Sequence, residues 1–98
     1  MNGGGTPESV RRELYEALAK TCTAGKIKLL LDDLCTDKEI DKMAQRLRAA
    51  KLLSEGMTYN EVIEKTDISS ATLSRVSRCV RCGKGYSSLF PKKAKKDE

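Results

Sequence analysis

Residues 58–83 read TYNEVIEKTDISSATLSRVSRCVRCG, and the fold turns on how this stretch divides. Thr58-Tyr59-Asn60-Glu61 has the form of a capping box. In such a box the threonine hydroxyl satisfies one orphan amide at a helix start, and the glutamate carboxylate reaches back to another. The helix it opens is brief, ending near Thr66, with Val62 and Ile63 as its apolar contacts. Asp67-Ile68-Ser69 then makes a tight turn, and Ser69 or Ser70 caps a second helix running to Gly83. A short helix, a turn and a second helix with its own cap is the helix-turn-helix plan. Two positions depart from its commonest form: Ile63 stands where a small residue is usual, and Asp67 where glycine is usual.

Wound at about 100° per residue, the second helix gathers Leu73, Val76 and Val80 on one side. Opposite them lie Ala71, Ser74, Arg75, Arg78 and Arg81, and residues 69–83 contain no acid. Small residues at the amino-terminal end would let the helix enter a DNA major groove, with the arginines beyond reaching phosphates or guanine edges. The preceding helix and turn hold Glu61, Glu64, Lys65 and Asp67, so charge is divided sharply between neighbours. Periodicity alone also fits an ordinary helical hairpin whose basic face is simply solvated.

Working outward, Thr36-Asp37-Lys38-Glu39 is a second capping box, opening a helix that runs to about Glu55. Ile40, Met43, Ala44, Leu47 and Ala50 share one of its faces, and Gly56 supplies a left-handed stop. Before it, residues 23–34 read as a helix with Ile27, Leu30, Leu31 and Leu34 on one side. The first helix starts at Thr6-Pro7, with Thr6 as cap, and carries Val10, Leu14, Ala17 and Leu18. No strand pattern and no repeat occurs, so the class is all-α. The expected organisation is a flexible arm at 1–5, one helical domain at 6–90 and a basic, disordered tail at 91–98. Gly83 and Gly85 are expected to release the chain from the last helix.

The chain has 98 residues, of which 39% are hydrophobic and only 4% aromatic, thin material for a solitary globule. A shared core is the simple remedy, and an obligate homodimer is expected. The net charge of +5 permits nucleic acid or a membrane surface as partner. The longest aliphatic run, Leu29-Leu30-Leu31, is far short of the ~20 residues that cross a bilayer. The first five residues lack the parts of a signal peptide, so a cytoplasmic location with reduced thiols is expected. There is no histidine, no phosphate-binding glycine loop after a strand and no paired carboxylates in a plausible pocket, so no enzyme and no cofactor is expected.

A resemblance sharpens this. Leu30-Leu31-Asp32-Asp33-Leu34-Cys35-Thr36-Asp37-Lys38-Glu39, then Arg46-x-Arg48, then Leu52-Leu53-Ser54-Glu55-Gly56-Met57-Thr58 with Glu61, and Ala71-Thr72-Leu73-Ser74-Arg75 run in ungapped order. Together they resemble the trp repressor-like family, in particular its YerC/YecD-type members in Gram-positive bacteria. The resemblance implies a trp-repressor-like helical domain with a helix-turn-helix, in an intertwined homodimer. Its recognition helices would sit about one DNA turn apart on a palindromic double-stranded operator, making the protein a sequence-specific transcriptional regulator, in all expectation a repressor. By family position Tyr59, Asn60, Ser70, Ala71, Thr72, Ser74 and Arg75 would face the DNA; Arg78 and Arg81 join them from the helical wheel.

The family also holds a small corepressor, an indole sandwiched by two arginines with threonines at its amino-acid end. Thr36, Arg46, Thr72 and Arg75 occupy the matching positions. Val76, however, stands where the family has a glycine beneath the ring, and Cys79 replaces a serine. A valine overfills a space shaped for a flat ring, at a cost of ~1–3 kcal/mol, which disfavours tryptophan.

The rival class comes from Cys22, Cys35, Cys79 and Cys82. Cys79-Val80-Arg81-Cys82-Gly83-Lys84-Gly85 imitates a zinc knuckle, and four thiolates would close a structural zinc site in an interaction module without DNA binding. The other two cysteines are 13 residues apart and no histidine assists, so no metal site is assigned. An exposed Cys82 could instead sense redox state, and Cys22 and Cys35 are expected as small core hydrophobes.

Overall fold

The computed structural model describes residues 5–91. The expected arm and tail therefore lie, apart from Gly5 and Pro91, outside the described residues. Among the described residues the chain is all-helical: α1 (Glu8–Thr21), α2 (Ala24–Leu34), α3 (Asp37–Ser54), α4 (Tyr59–Thr66), α5 (Ser70–Cys82) and α6 (Gly85–Leu89). They divide between two compact units, Met1–Lys38 and Glu39–Glu98.

In the first unit α1 packs against α2. Helical dihedrals begin at Glu8 rather than Pro7, because Pro7 keeps an extended ψ of 150° and is itself the cap residue. Thr6 therefore does not cap the helix, and no side chain does. Glu8 in the first turn and Lys20 in the last suit the helix dipole. Cys22 ends α1 in the left-handed region (φ 65°), its thiol turned to the Ala19 carbonyl at 3.4 Å. It is exposed, which corrects the expectation of a core cysteine: a capping position faces water. The Thr23 hydroxyl accepts from the Lys26 amide at 3.2 Å and starts α2 as expected. The Lys28 ammonium lies 2.8 Å from the Asp32 carboxylate, whose hydrogen bond and charge raise the Lys28 pKa above its ordinary value. Neither helix contains a buried residue; Val10, Leu14 and Leu34, all on the expected apolar stripes, are exposed.

The second unit contains the core: Ala49, Ala50, Leu52, Val62, Ile68, Leu73, Val76 and Val80, with Leu53, Met57, Ile63, Tyr86 and Phe90 packed on it. Only the last two turns of α3 are buried. Met43 and Leu47, placed on one apolar face of α3 by their spacing, are 40% and 41% exposed. After α3 the Gly56 amide bonds to the Leu53 carbonyl at 3.0 Å, and the Met57 amide to Leu52 at 3.2 Å. These paired bonds form a Schellman stop, and Gly56 takes the φ of +98° that it requires.

α5 packs against both α4 and α6. The sixth helix was not expected, since Gly83 and Gly85 read as a release. Gly83 instead allows a close turn: a Cβ there would stand 2.7 Å from the Cys79 carbonyl oxygen. That turn returns the chain so that Tyr86 and Phe90 cover the core. No helix among the described residues is long and apolar enough to cross a membrane.

Candidate nucleic-acid interface

Local chemistry builds the α4–turn–α5 segment. The Thr58 hydroxyl accepts from the Glu61 amide at 3.2 Å, while the Glu61 carboxylate accepts from the Thr58 amide at 2.9 Å. The capping box is complete, and Glu61 is thereby tied to the backbone rather than offered to solvent cations. Asp67 ends α4 with φ 64°, ψ 18°, the conformation glycine supplies in the commoner form of this turn. Asp is one of the few residues with a side chain that tolerate it. Ser69 then caps α5, its hydroxyl accepting from the Thr72 amide at 3.2 Å and donating to the Thr72 hydroxyl at 3.0 Å.

The two sides of α5 differ as the helical wheel requires. Leu73, Val76, Ser77 and Val80 are buried. Ser70, Ala71, Ser74, Arg75, Arg78 and Arg81 are exposed, and Thr72 is half-buried. On α4, Tyr59 is 42% exposed and Asn60 is exposed beside it. Among the described residues, Arg75 and Arg78 have no ion-pair partner, so their charge is directed outward. Arg81 differs, because its guanidinium donates to the buried Ser77 hydroxyl at 3.1 Å. Ser77 is the polar member of the buried face that periodicity missed; its i,i+4 spacing to Arg81 was the available signal.

A cleft of about 220 Å³ opens beside the amino-terminal end of α5, lined by Lys42, Gln45, Arg46, Asp67, Ile68, Ser69 and Thr72. It brings together Arg46 and Thr72 from the expected ligand set and adds two side chains of α3, Lys42 and Gln45, that the sequence reading passed over. Their spacing of three and four residues places them on one face with Arg46. Arg75 does not line it, and Val76 is 2% exposed within the core. Thr36 belongs to the first unit.

All four cysteines are free: Cys22 and Cys82 exposed, Cys35 and Cys79 half-buried. Among the described residues no three potential ligands gather to hold a metal ion.

The family model described as "Trp repressor protein" matches residues 11–93. The uncharacterized protein YerC of Bacillus subtilis (strain 168) is 52% identical to the chain over 52 residues, which are 53% of this chain and 50% of YerC. The match thus spans about half of that relative's length. No solved structure matches the chain. A family match that runs from within α1 to just beyond α6, over most of an all-helical chain, makes this chain a member of the Trp repressor protein family.

Proposed function

We propose that the protein is a sequence-specific DNA-binding transcriptional regulator, a repressor, that acts in the bacterial cytoplasm as a homodimer on a palindromic operator. The observation carrying this reading is the two-sided α5: an aliphatic edge seated in the core and an acid-free edge with Arg75 and Arg78 unpaired in solvent. Ser70, Ala71, Thr72 and Ser74 would enter the major groove, with Tyr59 and Asn60 on the flanking backbone and Arg75, Arg78 and Arg81 on phosphates or base edges. Membership of a family named for a repressor supports the same conclusion.

Dimerisation is supported by the first unit, whose two helices bury no side chain within one chain. Val10, Leu14, Leu34, Met43 and Leu47 are each at least 40% exposed, and such a set of apolar side chains is expected to be covered in solution. The cleft at Arg46 and Thr72 is the candidate seat for a small corepressor. Tryptophan is a poor candidate, because Val76 fills core space rather than leaving a slot for a ring.

Selecting bound duplexes from a random pool tests the reading. Enrichment of a palindrome with two half-sites is expected, with centres about 10 base pairs apart. An unenriched pool would contradict sequence-specific recognition by the chain alone.

A further inference from the structure

The last turn of α5 carries two free thiols, Cys79 and Cys82, that the proposed DNA-reading surface does not use. Three positions apart on a helix, they stand about 60° from one another around the axis and so share a side. Cys82 is exposed and Cys79 half-buried, which leaves one thiol open to reagents and the second beside it. Cys82 is the final helical residue, and the next amide, that of Gly83, bonds to the Cys79 carbonyl at 2.8 Å.

Helix geometry sets the terms for joining them. Residues three apart have Cα atoms about 5 Å apart, within the range a disulfide spans. Their Cβ atoms, however, are about 5.5 Å apart, against the roughly 3.8 Å that a sulfur–sulfur bond needs. The bond and full helical dihedrals at both residues therefore exclude each other. Cys82, at the open end, is the residue free to rotate, and its rotation strains the Gly83–Cys79 hydrogen bond. The same close turn, where no Cβ fits at Gly83, leads into α6 and sets Tyr86 and Phe90 on the core. Arg81 lies between the two cysteines, its guanidinium anchored on Ser77 by that final turn.

We propose that Cys79 and Cys82 form a thiol–disulfide site that a low-molecular-weight disulfide closes, opening the last turn of α5 and loosening α6. Cys82, having released its proton to solvent, attacks the reagent disulfide and expels one thiolate, which takes up a proton. Cys79, likewise deprotonated, then attacks the Cys82 sulfur and expels the second. Two protein thiols are oxidised while one disulfide is reduced to two thiols, and no other reactant is required. Closure displaces Arg81 from an ordered helix, so it weakens DNA binding; this consequence rests on the proposed function, whereas the chemistry does not.

The full chain is incubated with oxidised glutathione, its remaining thiols are blocked, and it is digested with trypsin without reductant. Cleavage after Arg78, Arg81 and Lys84 releases peptides 79–81 and 82–84, which are expected as one disulfide-linked species. Faster amide exchange at Gly83 and Phe90 is expected with it, together with about tenfold weaker binding to a duplex. The Cys82→Ser chain is expected to yield no linked species and no exchange change. A persistent mixed disulfide, or pairing of Cys82 with Cys22 or Cys35, would overturn the site. Linkage with unaltered exchange at Gly83 would overturn its coupling to the helix. If linkage and faster exchange appear in a chain whose reduced form binds no duplex, the thiol site stands and the DNA reading fails.

Discussion

The Arg81 guanidinium donates to the buried hydroxyl of Ser77 at 3.1 Å, one helical turn back, while Arg78 between them carries no such tether. The basic face of α5 therefore presents one anchored cation, Arg81, and two free ones, Arg75 and Arg78, toward the proposed phosphate backbone. Replacing Arg78 with Ala is expected to weaken binding to all duplexes and to reduce the salt slope by about 0.9. Arg81→Ala is expected to do the same and, by leaving Ser77 buried without its partner, to lower stability by about 1 kcal/mol as well. Titrations across a salt series and urea melts of both variants check this; unchanged slopes would remove the two arginines from the interface.

Asp67 holds the left-handed turn between α4 and α5 at φ 64°. Glycine adopts that conformation freely, so Asp67→Gly is expected to leave stability within about 0.5 kcal/mol of the parent or to raise it. Asp67→Val is expected to cost about 1–2 kcal/mol. Equal stability of the two variants in thermal melts would show that the turn does not need this backbone.

Because α1 and α2 bury nothing within one chain, the folded state is expected to depend on a second copy. The melting temperature should then rise with protein concentration, by about 3–6 °C per tenfold. Sedimentation showing a folded monomer at micromolar concentration would contradict the dimer.

Val76 is 2% exposed and lies in the core with Leu73 and Val62. Calorimetry is expected to show no binding of tryptophan at millimolar concentration. Val76→Gly, which costs about 1 kcal/mol of helix propensity in addition to the lost packing, is the variant that tests whether the side chain is the obstacle. Tight tryptophan binding by the parent chain would show that the ring is accommodated elsewhere.

The features legible in the sequence are local. The Thr58 capping box, the Ser69 cap, the Gly56 stop and the aliphatic stripe of α5 are all written within a few residues of where they act. What escaped was tertiary. Gly83 looked like a release because a missing Cβ announces freedom, whereas here it permits a close approach to the Cys79 carbonyl and the burial of Tyr86 and Phe90. Lys42 and Gln45 join the cleft only because α3 passes the start of α5. Met43 and Leu47 keep a core-like spacing yet remain exposed, since periodicity identifies an apolar face without naming what covers it. On α5, Ala71, Ser74, Arg75 and Arg78 fall on the open side as the helical wheel placed them, whereas the tether from Arg81 to Ser77 was hidden.

The most direct measurement is a map of backbone amide shifts in the folded protein as a bound duplex from the random-pool selection is added. The largest changes are expected at Ser70, Ala71, Thr72, Ser74, Arg75 and Arg78, with Tyr59 and Asn60 next and the buried positions Leu73 and Val76 following only as their helix responds. Changes confined to α1 and α2, with the α5 amides still, would contradict DNA reading by the arginine face.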